Sequence, residues 1–411
     1  MNLIRSSILT ASLFLSSFCW AAWQTAEQIT NTQSLGSSWA QSVTVTTEAV
    51  LVVGFVTVEN GWTVRRSLDA GRTWETVGRL PEGYKNARAL SIVSDNNDTI
   101  YVYGVVGEAP GHQNPFTIIR RSEDNGTTWT TVLEQDGATA VDERFKRVAV
   151  DWNGIVYAIV DNHQVLRSSD EGATWRTVDT FPGFAYSVVA GKFIGGVVVV
   201  GASAATLPQI PEWRVRYAVN GVDDWRTVDS FRSDTGGEGI AIPYSACFSV
   251  KGKIAVVGTV LTPANVSRWQ VRLANVASPD QWKTIDSFVP TNGADSFGSQ
   301  RANDCAFNLQ EEVFVTGRSL ENQNGALVPF YLTRKASLES KNTTFKNSDK
   351  IANNALSGGL QVGGWGVAVN GCGDVFTAGE VRDLAQPTLS DWLVRVLYAQ
   401  EPCGKNKPTG N

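Results

Sequence analysis

"SSDEGATW" spans Ser168–Trp175, and two near copies of this octet precede it in the chain. They are "SLDAGRTW", Ser67–Trp74, and "SEDNGTTW", Ser122–Trp129. Sequences that recur every few tens of residues are typical of small structural units arranged in series. The Ser, Asp and Gly of the octet are the residues that a tight hairpin turn requires. The octet therefore predicts a repeat architecture and marks one turn of each unit.

The repeat extends beyond the three octets. Each octet ends at a Trp that begins a strand of the pattern Trp-x-Thr-Val, and related strands begin at Trp225, Trp282 and Phe345. Each unit also contains an apolar strand that usually ends in Gly. A further strand carries Arg, at Arg66, Arg121, Arg167, Arg216, Arg272, Arg334 and Arg395. Because an Arg recurs in every unit, we expect it to pair with a carboxylate of the same or the next unit, not to build a catalytic triad.

Seven apolar strands, six of them ending in Gly, and seven Arg-bearing strands predict an all-β fold, a seven-bladed β-propeller of four-stranded blades. In each blade the strands run from the inner strand A through B (Gly-ended) and C (Arg-bearing) to the outer strand D. The last unit lacks a Trp-x-Thr strand, but "WQTAE", Trp23–Glu27, supplies one at the other end of the chain. We therefore expect the N-terminal strand to complete blade 7 and to protect its edge. The predicted propeller spans residues 22–404, followed by a short flexible tail, residues 405–411.

The octets in this hairpin setting resemble the Asp-box, or bacterial neuraminidase repeat, of sialidase-like propellers. That resemblance implies a propeller but not one activity, because the superfamily includes sialidases, xyloglucan-cleaving glycosidases, sortilin-type receptors and photosystem assembly factors. The Arg-Ile-Pro signature of sialidases is missing, since "QIPEW", Gln209–Trp213, has no Arg before its Ile-Pro. The resemblance therefore indicates a non-sialidase member.

The N-terminus predicts export. An apolar stretch from Ile8 to Phe18 and small residues near Ala21 have the layout of a secretory signal peptide, residues 1–21. A lipoprotein anchored at Cys19 is the alternative. We expect a periplasmic or extracellular monomer that does not insert into the membrane after signal cleavage. The net charge of −5 and the lack of a basic run argue against nucleic-acid binding.

Four cysteines remain after the signal peptide. Cys372 and Cys403 are expected to pair and to secure blade 7, while Cys247 and Cys305 lie at similar points of neighbouring inner strands and could bridge them. With two His residues and no CxxC pair, the sequence offers no metal site, and we expect no cofactor.

The candidate ligand site lies on one face. The longest segments between strands D and A and between strands B and C, including Ser319–Phe330, are predicted to share a face over blades 4 to 7, where ligands would bind. Strand A begins at this face, so its first residues should surround the central tunnel. These candidates are Arg88, Lys146, Tyr186, Tyr244, Asn303 and Trp365. They could contact a ligand, or they could only close the top of the tunnel.

Three functions fit this pattern. Aromatic, amide and cationic side chains favour a binding protein whose ligand is a glycan, and a protein-interaction or envelope assembly scaffold is the alternative. A sialidase-like glycoside hydrolase is the third, since Glu238, Asp295 and Asp304 are carboxylates in the right region. No complete catalytic set is apparent, so we assign no catalytic residue.

Overall fold

The structure is a computed structural model that describes residues 22–30, 36–57, 61–137, 145–192, 195–203, 210–232, 239–293, 299–340, 343–352, 362–382 and 389–399. These residues form 28 strands in seven four-stranded antiparallel sheets, which confirms the predicted propeller. The predicted signal peptide, the predicted C-terminal tail and Cys403 lie outside the described residues.

The first four blades contain the following strands, in the order A to D. Blade 1 contains β2 (Ser38–Val45), β3 (Val50–Val56), β4 (Gly61–Ser67) and β5 (Glu75–Gly78); blade 2 contains β6 (Arg88–Ser94), β7 (Ile100–Val106), β8 (Phe116–Ser122) and β9 (Thr130–Asp136). Blade 3 contains β10 (Val148–Val150), β11 (Val156–Val160), β12 (Gln164–Ser168) and β13 (Arg176–Thr180); blade 4 contains β14 (Phe184–Ala190), β15 (Val197–Ala202), β16 (Trp213–Ala218) and β17 (Arg226–Phe231).

The last three blades follow the same order. Blade 5 contains β18 (Ile240–Phe248), β19 (Lys253–Leu261), β20 (Ser267–Asn275) and β21 (Ser278–Phe288); blade 6 contains β22 (Gln300–Phe307), β23 (Glu312–Gln323), β24 (Ala326–Ser337) and β25 (Lys346–Ala352). Blade 7 contains β26 (Gly363–Val369), β27 (Val375–Arg382), β28 (Ser390–Leu397) and β1 (Gln24–Ile29). The pairing of β1 with β28 confirms the predicted ring closure.

The octets form the turns between strands C and D, as predicted. In the octet Ser168–Trp175, the Ser168 hydroxyl accepts the Gly172 N–H at 2.8 Å and donates to Asp170 Oδ1 at 2.8 Å. The Asp170 carboxylate in turn accepts the Thr174 N–H and hydroxyl. The backbone has positive φ at Glu171 (59°) and Gly172 (95°), the second of which favours glycine.

Each octet Trp also connects its blade to the preceding one. Strand D carries a β-bulge in every blade, and the bulge in β9 falls at Val132. A bulge leaves a backbone group without its ladder partner. Trp175 Nε1 donates to the Val132 carbonyl at 3.0 Å, and Trp129 and Trp74 do the same at Val77 and Ala26. The octet therefore supplies the hydrogen bond that the neighbouring bulge lacks.

Arginines of strand C join blade to blade, which confirms a structural role for four of the predicted residues. Arg216, Arg272, Arg334 and Arg395 each bind, with two nitrogens, the carboxylate of Asp179, Asp229, Asp286 and Asp349 respectively. The acid lies on strand D of the preceding blade. In blades 1 and 2 the register set by the strand D bulge places Arg65 and Arg120 at this position, where Arg65 binds Glu27 and Arg120 donates to the Arg79 carbonyl. The predicted Arg66 and Arg121 lie one residue further along and pair with Glu75 of the same blade and Glu171 of the next blade, as expected.

Blade 3 replaces this ion pair with an apolar contact. Leu166 occupies the arginine position opposite Thr177, and Leu133 of strand D in blade 2 occupies the acid position. Leu166 belongs to a buried apolar cluster against which Leu133 packs. The two positions have thus changed together within one chain.

A disulfide joins the inner strands of blades 5 and 6. Cys247 and Cys305 are bonded, with their Cα atoms 5.7 Å apart, as anticipated. The predicted Cys372–Cys403 pair remains a prediction, since Cys403 is not among the described residues. The described part of the chain contains no helical segment with the length and hydrophobicity of a membrane span.

Candidate ligand-binding face

A β-bulge near the start of the inner strand fixes the geometry of the tunnel mouth. In six blades the pairing of strands A and B skips one residue, namely Gln41, Leu90, Tyr186, Tyr244, Asn303 and Trp365. Four of the predicted candidates therefore occupy one equivalent position. Lys146 lies at the corresponding point of blade 3, just before β10, whereas Arg88 lies two residues before the bulge of its blade.

The tunnel is crossed by an ion pair at this level. Lys146 of blade 3 lies with its Nζ 2.8 Å from Asp304 Oδ1 of blade 6. The same Asp304 carboxylate accepts the Ser245 hydroxyl at 2.8 Å and the Val367 N–H at 2.8 Å. Asp304 is 1% exposed and connects blade 6 to blades 3, 5 and 7. Its two oxygens are thus occupied by structural contacts.

An aromatic cluster spans blades 3 to 5 at the same end of the tunnel. Phe145, Tyr186 and Tyr244 form a cluster with ring centroids 4.6 to 6.3 Å apart, and all three side chains are buried. The Ser187 hydroxyl donates to the Tyr244 carbonyl at 2.6 Å, which ties the bulges of blades 4 and 5 together. The structure thus brings the two predicted tyrosines into one group.

A cation completes this group on the side of blades 6 and 7. The Arg301 guanidinium lies 3.9 Å from the centroid of the Tyr244 ring and 6.0 Å from that of Trp365. Asn303 donates from Nδ2 to the Gly364 carbonyl at 2.8 Å, which joins blades 6 and 7. Arg301 is not among the predicted residues, although its position two residues before Asn303 is the one that Arg88 occupies in blade 2.

Arg88 belongs to a separate cluster. Its guanidinium lies 5.9 Å and 5.8 Å from the ring centroids of Trp39 and Phe55, which stack on each other at 4.3 Å. All three side chains are partly exposed. The six predicted residues therefore divide into five around the crossing ion pair and one between blades 1 and 2.

Blade 6 extends above this face as a hairpin. The segment Ser319–Phe330 was expected to be a loop, but β23 and β24 continue through it to a turn at Asn324 and Gly325. Asn-Gly is the preferred pair for such a two-residue turn. The hairpin packs against the segment before β22, where Asn322 N–H donates to the Asn292 carbonyl at 2.7 Å.

Two of the three candidate carboxylates for hydrolysis, Glu238 and Asp295, lie outside the described residues. Within those that are described, no group of three or more His, Cys, Asp or Glu side chains is placed to hold a metal ion. The described site is therefore a set of buried aromatic rings and cations arranged around one fully engaged carboxylate.

Comparison with known proteins shows the fold alone. No protein-family model and no curated protein sequence matches the chain. A solved structure of YCF48 bound to D1 peptide superposes with a TM-score of 0.54 at 13% identity, covering 94% of this chain and 98% of that one. YCF48 from Cyanidioschyzon merolae gives 0.50 at 14% identity, with 92% and 99% covered. The GH74 xyloglucanase from Xanthomonas campestris gives 0.54 at 13% identity, covering 90% of this chain and 55% of that one.

Proposed function

We propose that this protein is an exported, non-sialidase Asp-box propeller that binds a glycan at the loop-rich face over blades 4 to 7. The observation that carries the proposal is the stack of Arg301 on Tyr244 beside Trp365 and Asn303. Aromatic rings bind the apolar faces of sugars, and guanidinium and amide groups donate to their hydroxyl or carboxylate oxygens. In this proposal Lys146, Tyr186 and Arg88 contribute further contacts.

In this proposal the buried side chains form the floor of the site. Tyr186, Tyr244, Asn303 and Trp365 are each at most 7% exposed, so a ligand would reach their edges from above. The Lys146 side chain keeps 21% of its surface exposed. The long connecting segments of blades 4 to 7 would supply the walls, as loops on rigid scaffolds commonly do.

Export is supported by the disulfide and by the N-terminal sequence. Cys247–Cys305 is the kind of cross-link that persists in oxidising compartments. Residues 1–21 have the composition of a secretory signal. We infer that the mature chain begins at Ala22 and functions in the periplasm or outside the cell.

A polypeptide is the second candidate ligand. One structural neighbour is YCF48 bound to D1 peptide, and in this chain the β23–β24 hairpin carries an exposed Leu327 (51%) above the same face. Exposed apolar side chains beside a groove are typical of peptide-binding surfaces. Glycan hydrolysis is less well supported, because Asp304 is held by Lys146, Ser245 and Val367.

A glycan array probed with residues 22–411 tests the proposal. Arg301→Gln should weaken binding about tenfold, the cost expected for a charge-assisted contact. The matched control is Arg72→Gln, since the Arg72 guanidinium also lies over a tyrosine, Tyr398, at 5.5 Å but on the octet face. Mass spectrometry of the array would detect cleavage.

Each outcome discriminates between the candidates. Binding lost with Arg301→Gln and kept with Arg72→Gln supports a glycan site at this face. Equal binding by both variants places the glycan elsewhere and contradicts the proposal. Cleavage of the bound sugar would make the protein an enzyme, and no binding to any glycan would favour the polypeptide ligand.

A further inference from the structure

The tunnel below the ion pair is an apolar cavity that the proposed glycan site does not use. It measures about 230 Å³ and is lined by all seven inner strands. Its walls include Val43, Ile92, Val148, Val188, Phe248 and Val367. The Cys247–Cys305 disulfide also lies in its wall. An apolar cavity of this size is suited to a small hydrophobic ligand.

Charge is confined to the two ends of this cavity. Lys146 and Lys192 are its only charged lining residues within the described part of the chain. Lys146 closes the upper end and is neutralised by Asp304 at 2.8 Å. Lys192 follows β14 at the lower end, where it is partly exposed and donates to the Ser94 hydroxyl at 3.5 Å. Among the described residues no carboxylate lines the cavity, and the two acids that act on Lys192 through their charge, Asp95 and Asp98, lie outside its lining.

The distance between the ends defines the length of a ligand. The Lys146 carbonyl accepts the Val188 N–H, so these two residues lie at the same height in the tunnel. Lys192 lies four positions after Val188, which corresponds to about 13 Å along an extended strand. An extended medium-chain acyl group has a comparable length. A ligand with an apolar tail towards Lys146 would match the apolar walls of the cavity, and an anionic head at Lys192 would match the charge of that lysine.

We propose that the tunnel binds a medium-chain fatty acid, with its tail among the inner strands and its carboxylate on Lys192. This site opens on the face opposite the proposed glycan site and does not depend on it. Burial lowers the pKa of Lys192 to about 8. Asp95 and Asp98 favour its charged form, and Lys146 opposes it. The lysine is therefore charged at neutral pH and loses its proton in mildly alkaline solution, where carboxylate binding should weaken.

Titration calorimetry of residues 22–411 with decanoate and with decanol tests this proposal. Lys192→Met should weaken decanoate binding about tenfold and leave decanol binding unchanged, because only the head group meets the lysine. Raising the pH from about 7 to about 9.5, across the lysine pKa, should weaken decanoate binding by the wild-type chain and not by Lys192→Met. Lys251→Met, which removes a 57% exposed lysine on the same face, is the matched control and should bind like the wild type.

A second variant tests whether the apolar tail of the ligand occupies the cavity. Val369 lines the cavity and is partly exposed, and Val369→Trp should weaken both decanoate and decanol by filling the lower end. Circular dichroism would verify that each variant is folded. The proposal is overturned if the wild type binds no decanoate, or if Lys192→Met binds decanoate as tightly as the wild type does.

Discussion

The polar residues of the octet act through hydrogen bonds. The Asp170 side chain accepts from the Ser168 hydroxyl, the Thr174 N–H and the Thr174 hydroxyl within one turn. These contacts, led by the Thr174 hydroxyl, lower the pKa of Asp170 to about 2. The carboxylate is exposed, so the octet is held by directed bonds to a charged group in contact with water.

Acid should therefore weaken the contribution of this turn. An ionised Asp170 stabilises the fold fully above the unfolded-state pKa of about 3.9, and this contribution is lost as pH falls towards about 2. Asp170→Asn should lower the urea midpoint at about pH 6, and the difference from the wild type should shrink between about pH 4 and about pH 2. Asp280→Asn, at an exposed site on β21, is the matched control for the loss of one surface charge. A difference for Asp170→Asn that stays constant throughout this acid range would contradict the assignment.

Pairs of side chains, one on strand C of a blade and one on strand D of the preceding blade, join neighbouring blades. The Arg272 guanidinium makes two bonds to Asp229, at 2.7 and 2.9 Å, and both side chains are buried. Leu166 and Leu133 fill the equivalent positions between blades 2 and 3. The chain thus contains its own example of an apolar substitute for the ion pair.

Breaking one half of this pair should cost more than replacing both halves. Arg272→Leu alone leaves Asp229 buried without its partner and should lower the free energy of unfolding by about 3–5 kcal/mol. The double variant Arg272→Leu/Asp229→Leu should recover most of that loss, because buried ion pairs can often be replaced by apolar residues without net cost. Urea unfolding of both variants measures the difference. A double variant less stable than Arg272→Leu would refute this account.

The sequence predicted the strands and blades better than it predicted which side chains contact each other. The Trp-x-Thr strands and the Gly-ended strands recur along the sequence, so the number of blades and the role of Trp23–Glu27 could be predicted. A β-bulge leaves no such pattern in the sequence. Because the bulge in strand D decides which arginine faces the preceding blade, the sequence could not distinguish Arg65 from Arg66. The hairpin around Asn324 was missed because its apolar residues were assigned to a loop.

The positions of the candidate residues in the fold were predicted in the same partial way. Alignment on strand B located four bulge residues from sequence, since their spacing from the Gly of that strand is regular. Contacts across the tunnel could not be located, because Lys146 and Asp304 are far apart in the chain and belong to non-adjacent blades. The Arg301–Tyr244 stack likewise depends on how blades 5 and 6 pack.

The whole molecule is closed by its N-terminal strand. Blade 7 holds β1 through the pairing with β28, and both neighbouring blades contact it as well. Arg65 of blade 1 donates from Nε to Glu27 at 2.9 Å, and Trp74 donates to the Ala26 carbonyl. Trp23 Nε1 donates to the Ser348 hydroxyl of blade 6 at 2.9 Å. The strand therefore links blades 6, 7 and 1, and so joins the first blade of the chain to the last two.

Removing residues 22–30 should open the ring. Strand β28 would become an unpaired edge carrying the completely buried Trp392 and Val394, and exposed strand edges promote association. We expect a lower Tm by circular dichroism and oligomers by size-exclusion chromatography.

Deleting the tail, residues 405–411, should change neither and controls for shortening of the chain. A synthetic peptide of residues 22–30 should restore both the Tm and the elution volume of the intact protein, because the lost contacts belong to the strand and not to its covalent connection. A truncated protein with the elution volume expected for its length and the wild-type Tm would show that β1 is not needed to close the propeller.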